Sequence, residues 1–523
     1  MTGNIPPVIR PEHLSPRSLE LLVSELGLRS VGDLRGVEVG GLTVMTREVT
    51  AGDMFVAVRG ANRHGAEFAA DAKSNGAVAI LTDDEGAAIA ADCGLPLVIV
   101  DSPRAALGEI ARWIYRTDDD APQYFGVTGT NGKTSTARMI EALCRAHGLR
   151  TGLMTSPHLR FVTERIMIDG EPISDERFVE NWRDVEPYIN MVDDDLVANG
   201  EVPLTYFETL TVLTLAAFAD APVDVAILEV GMGGEWDSTN VADADVAVFT
   251  PIGIDHAEFL GNTVAEIART KSGIIKPGSI VVTSAQEPDA LAEIIQATEM
   301  SDGELIVEGD GFELVSSVSA VGGQVLQVRG RAGVYRDVPV TLHGRHQAHN
   351  AALAIAAVES LLGNGSRSIP DEILSVALGN VTSPGRLQYL AANPPIIVDA
   401  AHNPHGATAL AAAILDVLPF EKMWLVLGVL DDKDARGIIE ALDPVVAGFI
   451  CTQSASDRAM QANDLADIVA ALVGPDRVQA EPTLSAAIDT AKTMCGPQDA
   501  IMVTGSITLV GDTIALARTE NWT

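Results

Sequence analysis

The stretch that most constrains this chain is Tyr124–Thr136, YFGVTGTNGKTST. An apolar run enters a Gly-rich turn, passes through Lys-Thr-Ser and continues as a helical stretch, ARMIEALCRAHG. A strand that is apolar on both faces belongs inside a sheet covered by helices. Backbone N–H groups of the turn and of the helix start form a cradle for an anion. Lys133 is placed to reach terminal phosphates, and Thr134 or Ser135 to offer a hydroxyl to Mg²⁺. The fit to the general phosphate-loop pattern is incomplete, because Val127 stands where its first glycine belongs. The compact form is GTNGKTS, and the expected ATP-binding loop comprises Thr128, Gly129, Thr130, Asn131, Gly132, Lys133, Thr134 and Ser135.

Other apolar runs extend the α/β reading. VDVAILEVG (223–231) and DVAVFTPI (245–252) are further strands of a covered sheet. Residues 305–342 alternate and hold GG and RG turns, which predicts a small antiparallel patch. From Pro384 onward, PPIIVDAA, MWLVLGVL, VAGFICTQ and AIMVTGS alternate with Ala-rich helical stretches, a second doubly wound unit. Ahead of the loop, Ala51-Gly52-Asp53 turns into a short strand. HGAEFAADAKSNGAVAILTD (64–83) predicts a helix stopped at Asn75-Gly76 and then a buried strand. LPLVIV (95–100) precedes a helix near 103–115, and RTDDDAP (116–122) reads as a linker. The chain of 523 residues is too long for one core. Three domains are expected, 1–120, 122–383 and 384–523.

Composition excludes several function classes. Lys and Arg total 35 against 72 Asp and Glu, a formal charge of -37 that repels nucleic acid and anionic membrane surfaces. A polyanionic substrate therefore needs a local positive site. Hydrophobic residues make up 47% and aromatics 4%, an aliphatic interior suited to α/β enzymes. Cys93, Cys144, Cys451 and Cys495 are scattered, which suggests neither a disulfide framework nor a zinc site. The opening MTGNIPPVIRPEHL lacks a secretion pattern, and no apolar run approaches membrane-span length. The expectation is a soluble, cytoplasmic protein.

Several groups lie where α/β sheets hold ligands. Glu229 ends a buried strand beside the Gly-rich turn GMGGEWDSTN (231–240), and Asp255-His256 follows another strand. Glu229 and His256 can share a Mg²⁺ that keeps waters and phosphate oxygens. Ser156-Pro157-His158-Leu159 leads to Glu164-Arg165. Lys271, in EIARTKSGIIKPG (266–278), reads as one turn into a helix. There it is either solvated or, near Mg²⁺ and phosphates, open to carbamylation by CO₂. LHGRHQAHNAALA (342–354) carries three His but no acidic or Cys partner at zinc spacing, and Asn350 is assigned an adenine contact. Arg386 can fork onto phosphate oxygens across a domain cleft, and Asp399 and His402 stand just past a strand, suited to nucleotide contact.

Taken together, GTNGKTS, TSPHLRFVTERIMIDGEPIS, FETLTVLTLAAF, EVGMGGEWDSTNV, GIDHAEFLG, KSGII, LHGRHQAHNA, SPGRL, DAAHNP and DDKD resemble the Mur ligase superfamily. Over 122–523 the resemblance is to folylpolyglutamate synthase/dihydrofolate synthase. It implies a three-domain Mur ligase architecture with a P-loop central domain and a Rossmann-like C-terminal domain that closes on it. It also implies a reaction in which ATP phosphorylates a carboxylate and an amine attacks the acyl phosphate. By carry-over, the catalytic set is Lys133, Glu229, His256, Lys271 and Arg386. Ser135, Glu229 and His256 hold Mg²⁺, with Ser156 near a second ion, and Lys271 is the carbamylated lysine. Asn350, Arg386, Asp399 and His402 contact ATP.

Two departures stand out. Residues 1–120, in VMTREVTAGDMFVAVRGANRHGAEFAADAKSNGAVAILTD, resemble instead the N-terminal domain of the UDP-N-acetylmuramoyl-dipeptide ligase that adds the third peptide residue. Thr46 and Arg47 stand where that family has its Ser-Arg pair, a possible substrate contact. Glu235 occupies a place where folate ligases usually have Arg. The leading expectation is an ATP- and Mg²⁺-dependent, monomeric ligase adding glutamate to a pteroate or folate. A UDP-muramyl-peptide ligase and a non-catalytic nucleotide-binding protein are the alternatives. Against the muramyl reading, 454–465 is SASDRAMQANDL rather than an Asp-Asn-Pro-Arg-like stretch.

Overall fold

The computed structural model describes residues 16–60, 63–115 and 122–522. The chain divides into two compact units, Met1–Ala121 and Pro122–Thr523. Residues 116–121 of the expected linker lie outside the described residues.

Unit 1 is built on a five-stranded sheet of β1 (Arg29–Val31), β2 (Gly41–Thr43), β3 (Asp53–Val56), β4 (Ala79–Thr82) and β5 (Leu97–Ile99), in the order β1-β5-β4-β3-β2. All neighbours are parallel except β1 with β5. The strands β3 and β4 are buried throughout, as their apolar runs Met54–Val56 and Ala79–Leu81 require. The helix Ala69–Asn75 ends at Gly76, whose φ of +113° supplies the left-handed cap expected there.

Unit 2 carries three sheets. The largest contains β6 (Gln123–Thr128), β7 (Thr151–Met154), β8 (Ile166–Ile168), β9 (Glu171–Pro172), β10 (Val225–Glu229), β11 (Val246–Phe249), β12 (Ile280–Thr283) and β13 (Glu304–Val307). Their order is β9-β8-β7-β10-β6-β11-β12-β13. The six strands from β7 to β13 are parallel, and β8 and β9 form an antiparallel edge. Phe125, Val127, Ile227 and Val248 face one buried layer, while Leu228, Ala247 and Phe249 face the opposite side. This alternation explains why the strands read as continuous apolar runs: each face has its own core.

The first layer holds helix α1 (Lys133–Ala146) and, beside it, α2 (Arg345–Leu361). The second helix is buried almost all round because a small antiparallel sheet covers it: β14 (Glu313–Ala320), β15 (Gly323–Arg329) and β16 (Val334–Val340). The antiparallel patch thus begins at 313. Residues 305–307, expected in it, instead belong to β13, which pairs in parallel with β12 and ends the main sheet. Glu359 fastens the patch to α2, accepting bonds from Arg331 N at 2.6 Å, Ala332 N at 3.1 Å and the Tyr335 hydroxyl.

The last layer is a six-stranded sheet of β17 (Gln388–Ala392), β18 (Pro395–Val398), β19 (Met423–Leu427), β20 (Gly448–Cys451), β21 (Val478–Ala480) and β22 (Ala500–Thr504). Its order is β17-β18-β22-β19-β20-β21, antiparallel only between β17 and β18, with a core on each face. This is the doubly wound unit the sequence predicts. Among the described residues, no helix is long and apolar enough to cross a membrane.

Candidate active site

The central strand β6 ends at Thr128, and the chain must turn at once to start α1. Gly129 takes φ +141°, and a Cβ there would meet Thr250 Oγ1 at 2.0 Å. Gly132 caps α1 with φ +93°, where a Cβ would come within 2.7 Å of Asn350 Oδ1. Both positions therefore require glycine. No side chain caps α1. Its first-turn N–H groups, which have no acceptor within the helix, remain for a ligand anion. The loop is braced by Thr130, whose N–H donates to Pro251 O at 2.9 Å and whose hydroxyl donates to Gly253 O at 2.9 Å. Thr128 is fully buried and donates its hydroxyl to Gly233 O, a structural task.

A cavity of about 950 Å³ opens at this end of the main sheet and reaches the six-stranded layer. Its wall includes Gly129, Thr130, Asn131, Gly132, Lys133, Thr134, Ser156, Glu229, His256, Lys271, Arg386 and His402. Twelve expected residues, drawn from seven separate stretches, thus meet in one place. Lys133, Lys271, Arg386, Lys433 and Arg458 supply five cations against Glu208, Glu229, Asp237 and Asp255. In a chain of charge -37 this is the local positive site that a polyanion needs.

Glu229 closes β10 and is 1% exposed. It accepts the Thr134 hydroxyl at 2.8 Å and the Ser156 N–H at 3.1 Å. Burial pushes its carboxyl up, and Lys133, Thr134 and Ser156 pull it back. Burial likewise lowers Lys133, whose Nζ donates to Gly129 O at 3.1 Å. Lys271 Nζ donates to the same carbonyl at 3.0 Å. Burial, reinforced by the Lys133 charge, brings Lys271 down to about 7. Burial keeps the His256 imidazole below its ordinary value, against the pull of Asp255, and lowers His402 to about 4. His402 donates its Nδ1–H to Ala400 O at 2.9 Å, leaving its other ring nitrogen for the cavity.

The donor set fits Mg²⁺. Among the described residues no three His, Cys, Asp or Glu side chains converge on a point. A buried carboxylate, a hydroxyl and a neutral imidazole, completed by phosphate oxygens and water, suit a hard ion that keeps part of its hydration.

Some residues fall elsewhere than the sequence places them. Lys271 stands one residue from the end of its helix, Val264–Ser272, rather than one turn in, and the last turn tucks it under the phosphate loop. Ser135 is buried, with its Oγ 3.1 Å from Ser383 Oγ, so Thr134 is the hydroxyl at Glu229. Asn350 and Asp399 are off the cavity wall. Asn350 donates to Gln347 Oε1 at 3.1 Å behind Gly132. The Asp399 carboxylate accepts from Leu387 N at 3.0 Å and Ala401 N at 2.9 Å, which sets the loops that carry Arg386 and His402. Glu235 is exposed and off the wall, while its neighbours Trp236 and Asp237 line it. In unit 1, Thr46 and the exposed Arg47 lie just past β2 in a short turn, Thr46–Glu48. Arg47 reaches Met45 Sδ at 3.5 Å.

Sequence reasoning missed Asp255, Asn403 and Lys433 as partners. Lys433 Nζ lies 3.1 Å from Asp255 Oδ1, and Asn403 donates to Asp255 Oδ2 at 3.0 Å. Asp255-His256 at the end of a strand and the DDKD and HNP segments were the signals available, and none of them shows the pairing.

Comparison with known proteins places the chain in a family. Residues 127–358 match the Mur ligase middle domain, 385–507 the Mur ligase glutamate ligase domain, and 38–115 the domain described as Mur ligase family, catalytic domain. The chain is 43% identical over 408 residues to the dihydrofolate synthase/folylpolyglutamate synthase of Mycobacterium tuberculosis, covering 74% of this chain and 84% of that one. It is 32% identical over 389 residues to the Bacillus subtilis protein of the same name, covering 74% and 89%. Among solved structures, M. tuberculosis folylpolyglutamate synthase complexed with ADP superposes with a TM-score of 0.74 at 41% identity, over 77% of this chain and 92% of that one. E. coli FolC in complex with DHPP and ADP gives 0.67 at 29% identity, over 77% and 90%.

Proposed function

Because the chain belongs to the dihydrofolate synthase/folylpolyglutamate synthase family of Mur ligases, we propose that its cavity joins glutamate to a pteroate or folate carboxylate at the expense of ATP. The chain is an ATP-dependent ligase that forms a C–N bond. The observation that carries the assignment of residues is the meeting of Lys133, Glu229, His256, Lys271 and Arg386 on one wall.

The loop Gly129–Thr134 and the start of α1 hold the ATP phosphates, with Lys133 and Arg386 countering their charge. Phosphoryl transfer to the acceptor carboxylate forms the acyl phosphate and ADP. The glutamate amine then attacks the acyl carbon, the C–O bond to phosphate breaks, and inorganic phosphate leaves. No protein nucleophile is needed, so positioning and charge stabilisation carry the rate. Mg²⁺, when bound, neutralises phosphate charge, and Glu229, His256, Thr134 and Ser156 are the residues that would hold it. Lys271, near neutrality at pH 7, can react with CO₂ to give a carbamate with loss of one proton. Asn350 and Asp399 support the nucleotide pocket from behind. Residues 122–383 form the nucleotide domain and 384–523 the closing domain. Thr46 and Arg47 of residues 1–120 offer a substrate contact, and the enzyme is a monomer that works in the cytoplasm without nucleic acid.

The test is phosphate release with three pairs: dihydropteroate and glutamate, tetrahydrofolate and glutamate, and UDP-muramyl-dipeptide with amino acids. Turnover with either of the first two is expected and also separates first-glutamate addition from chain extension. Turnover with the UDP pair alone would overturn the folate reading. ATP binding without ADP release in every pair would leave a non-catalytic nucleotide-binding protein.

A further inference from the structure

His256 is among the few residues other than glycine with positive φ, at +50°. A residue held there needs surroundings that fix it. The fixing group is its own neighbour: the His256 N–H donates to Asp255 Oδ1 at 2.9 Å. Asp255 is in turn held from the six-stranded layer. Lys433, in the loop after β19, pairs with Oδ1 at 3.1 Å, and Asn403 donates to Oδ2 at 3.0 Å. The Lys433 and Asp255 side chains are only 11% and 13% exposed. The chain of bonds continues to the phosphate loop: Asn131 lies 3.4 Å from Asn403 Oδ1 and donates to His405 Nδ1 at 2.7 Å.

We propose that Asp255 is a positioning residue, a clasp closed by Lys433 and Asn403 that joins the two sheet layers and thereby fixes His256 in its left-handed turn facing the cavity. Closing the layers and aiming His256 are then a single event. A half-closed enzyme has no correctly aimed imidazole, so ATP is not committed before the cavity is complete. The role of His256 rests on the ligase reading above, whereas the clasp itself does not.

The experiment compares the full-length protein with Lys433→Met and Lys433→Arg, by steady-state kinetics and by hydrogen exchange of 251–260 and 428–434 without substrates. For Lys433→Met, kcat falls about 10- to 100-fold while the KM for ATP stays within about twofold, since an unpaired buried carboxylate opens the clasp. Exchange quickens in both segments, although they are far apart in sequence, and stays unchanged in 123–128. Lys433→Arg restores both readouts. Should Lys433→Met unfold the chain, Asn403→Ala removes the bond to Asp255 Oδ2, together with the cap on Gly406 N and the Asn131 contact, and carries the same test, with at least about a threefold loss. Unchanged exchange in 251–260 overturns the proposal. So does quickened exchange with normal kcat, a loss confined to the KM for ATP, or a Lys433→Arg protein no better than Lys433→Met. Wild-type protein that consumes no ATP with any acceptor fails the ligase reading, and the exchange result still decides the clasp.

Discussion

Two of the chain's largely parallel sheets end very differently. At the ends of the unit 1 strands, charges pair with each other, Arg29 with Asp84 at 2.9 Å and Arg59 with Glu85 at 2.7 Å, and His64 Nε2 lies 3.1 Å from Asp83 Oδ1. At the end of the main sheet of unit 2, Lys133 and Lys271 both turn to the Gly129 carbonyl, α1 is left uncapped, and a cavity of about 950 Å³ gathers the charges. The strand-and-helix layout is shared. What differs is whether charged groups are satisfied locally or held in reserve, and only the second arrangement shifts Lys271 to about 7. Unit 1 closes its strand ends with its own side chains, whereas unit 2 leaves a reactor at its strand ends.

The contrast can be broken most directly at Lys133. Lys133→Ala is expected to lower turnover by about 10³-fold or more, measured as phosphate release, because transition-state charge loses its nearest cation. Near-normal activity would remove the reactor from this corner. Next comes Lys271→Ala, with a loss of about 10²-fold that short carboxylates such as formate partly restore. Wild-type turnover should rise as pH passes 7, where the buried amine loses its proton and becomes able to take up CO₂. Full activity of the variant without added carboxylate would end that role.

A smaller effect concerns stability. Burial holds His402 neutral down to about 4, whereas an unfolded His protonates near 6.5. Between those values the unfolded chain binds more protons, so stability falls as pH drops from about 6.5 to 4. His402→Gln should flatten that slope and recover about 2–4 °C in Tm at pH 4.5 by calorimetry. An identical slope in the variant would place the titration elsewhere. The smallest effect sharpens the other side. Arg47→Ala should raise the KM for the folate-type acceptor about threefold with the KM for ATP unchanged, as loss of one exposed contact allows. No change in either constant would make unit 1 a bystander.

The phosphate loop was legible because a local signal specified it: an apolar strand, two glycines with no alternative and a lysine, all within thirteen residues. Glu229 and His256 were legible for the same reason, since each follows a run that can only be a buried strand. Orientation within a motif was not. Ser135 and Thr134 are adjacent hydroxyls, and packing against Ser383 decides which of them meets Glu229. Helix spacing left Lys271 either solvated or beside the phosphates, and only the helix end beneath the loop decides for burial. Residues 305–307 alternate like the patch that follows, but an open parallel edge beside β12 captured them. Asp255 and Lys433, 178 residues apart, carry no local signature of their pairing.

The backbone of His256 has a consequence for how this protein can drift. At φ +50° a β-branched or bulky residue is penalised, while Gly, Asn, Asp and His are tolerated. Of those four, only His brings an imidazole and only Asp a carboxylate. The position is therefore a narrow gate in the mutational neighbourhood: nearly every exchange that the turn accepts discards the donor atom, and nearly every donor that could replace it is refused by the turn.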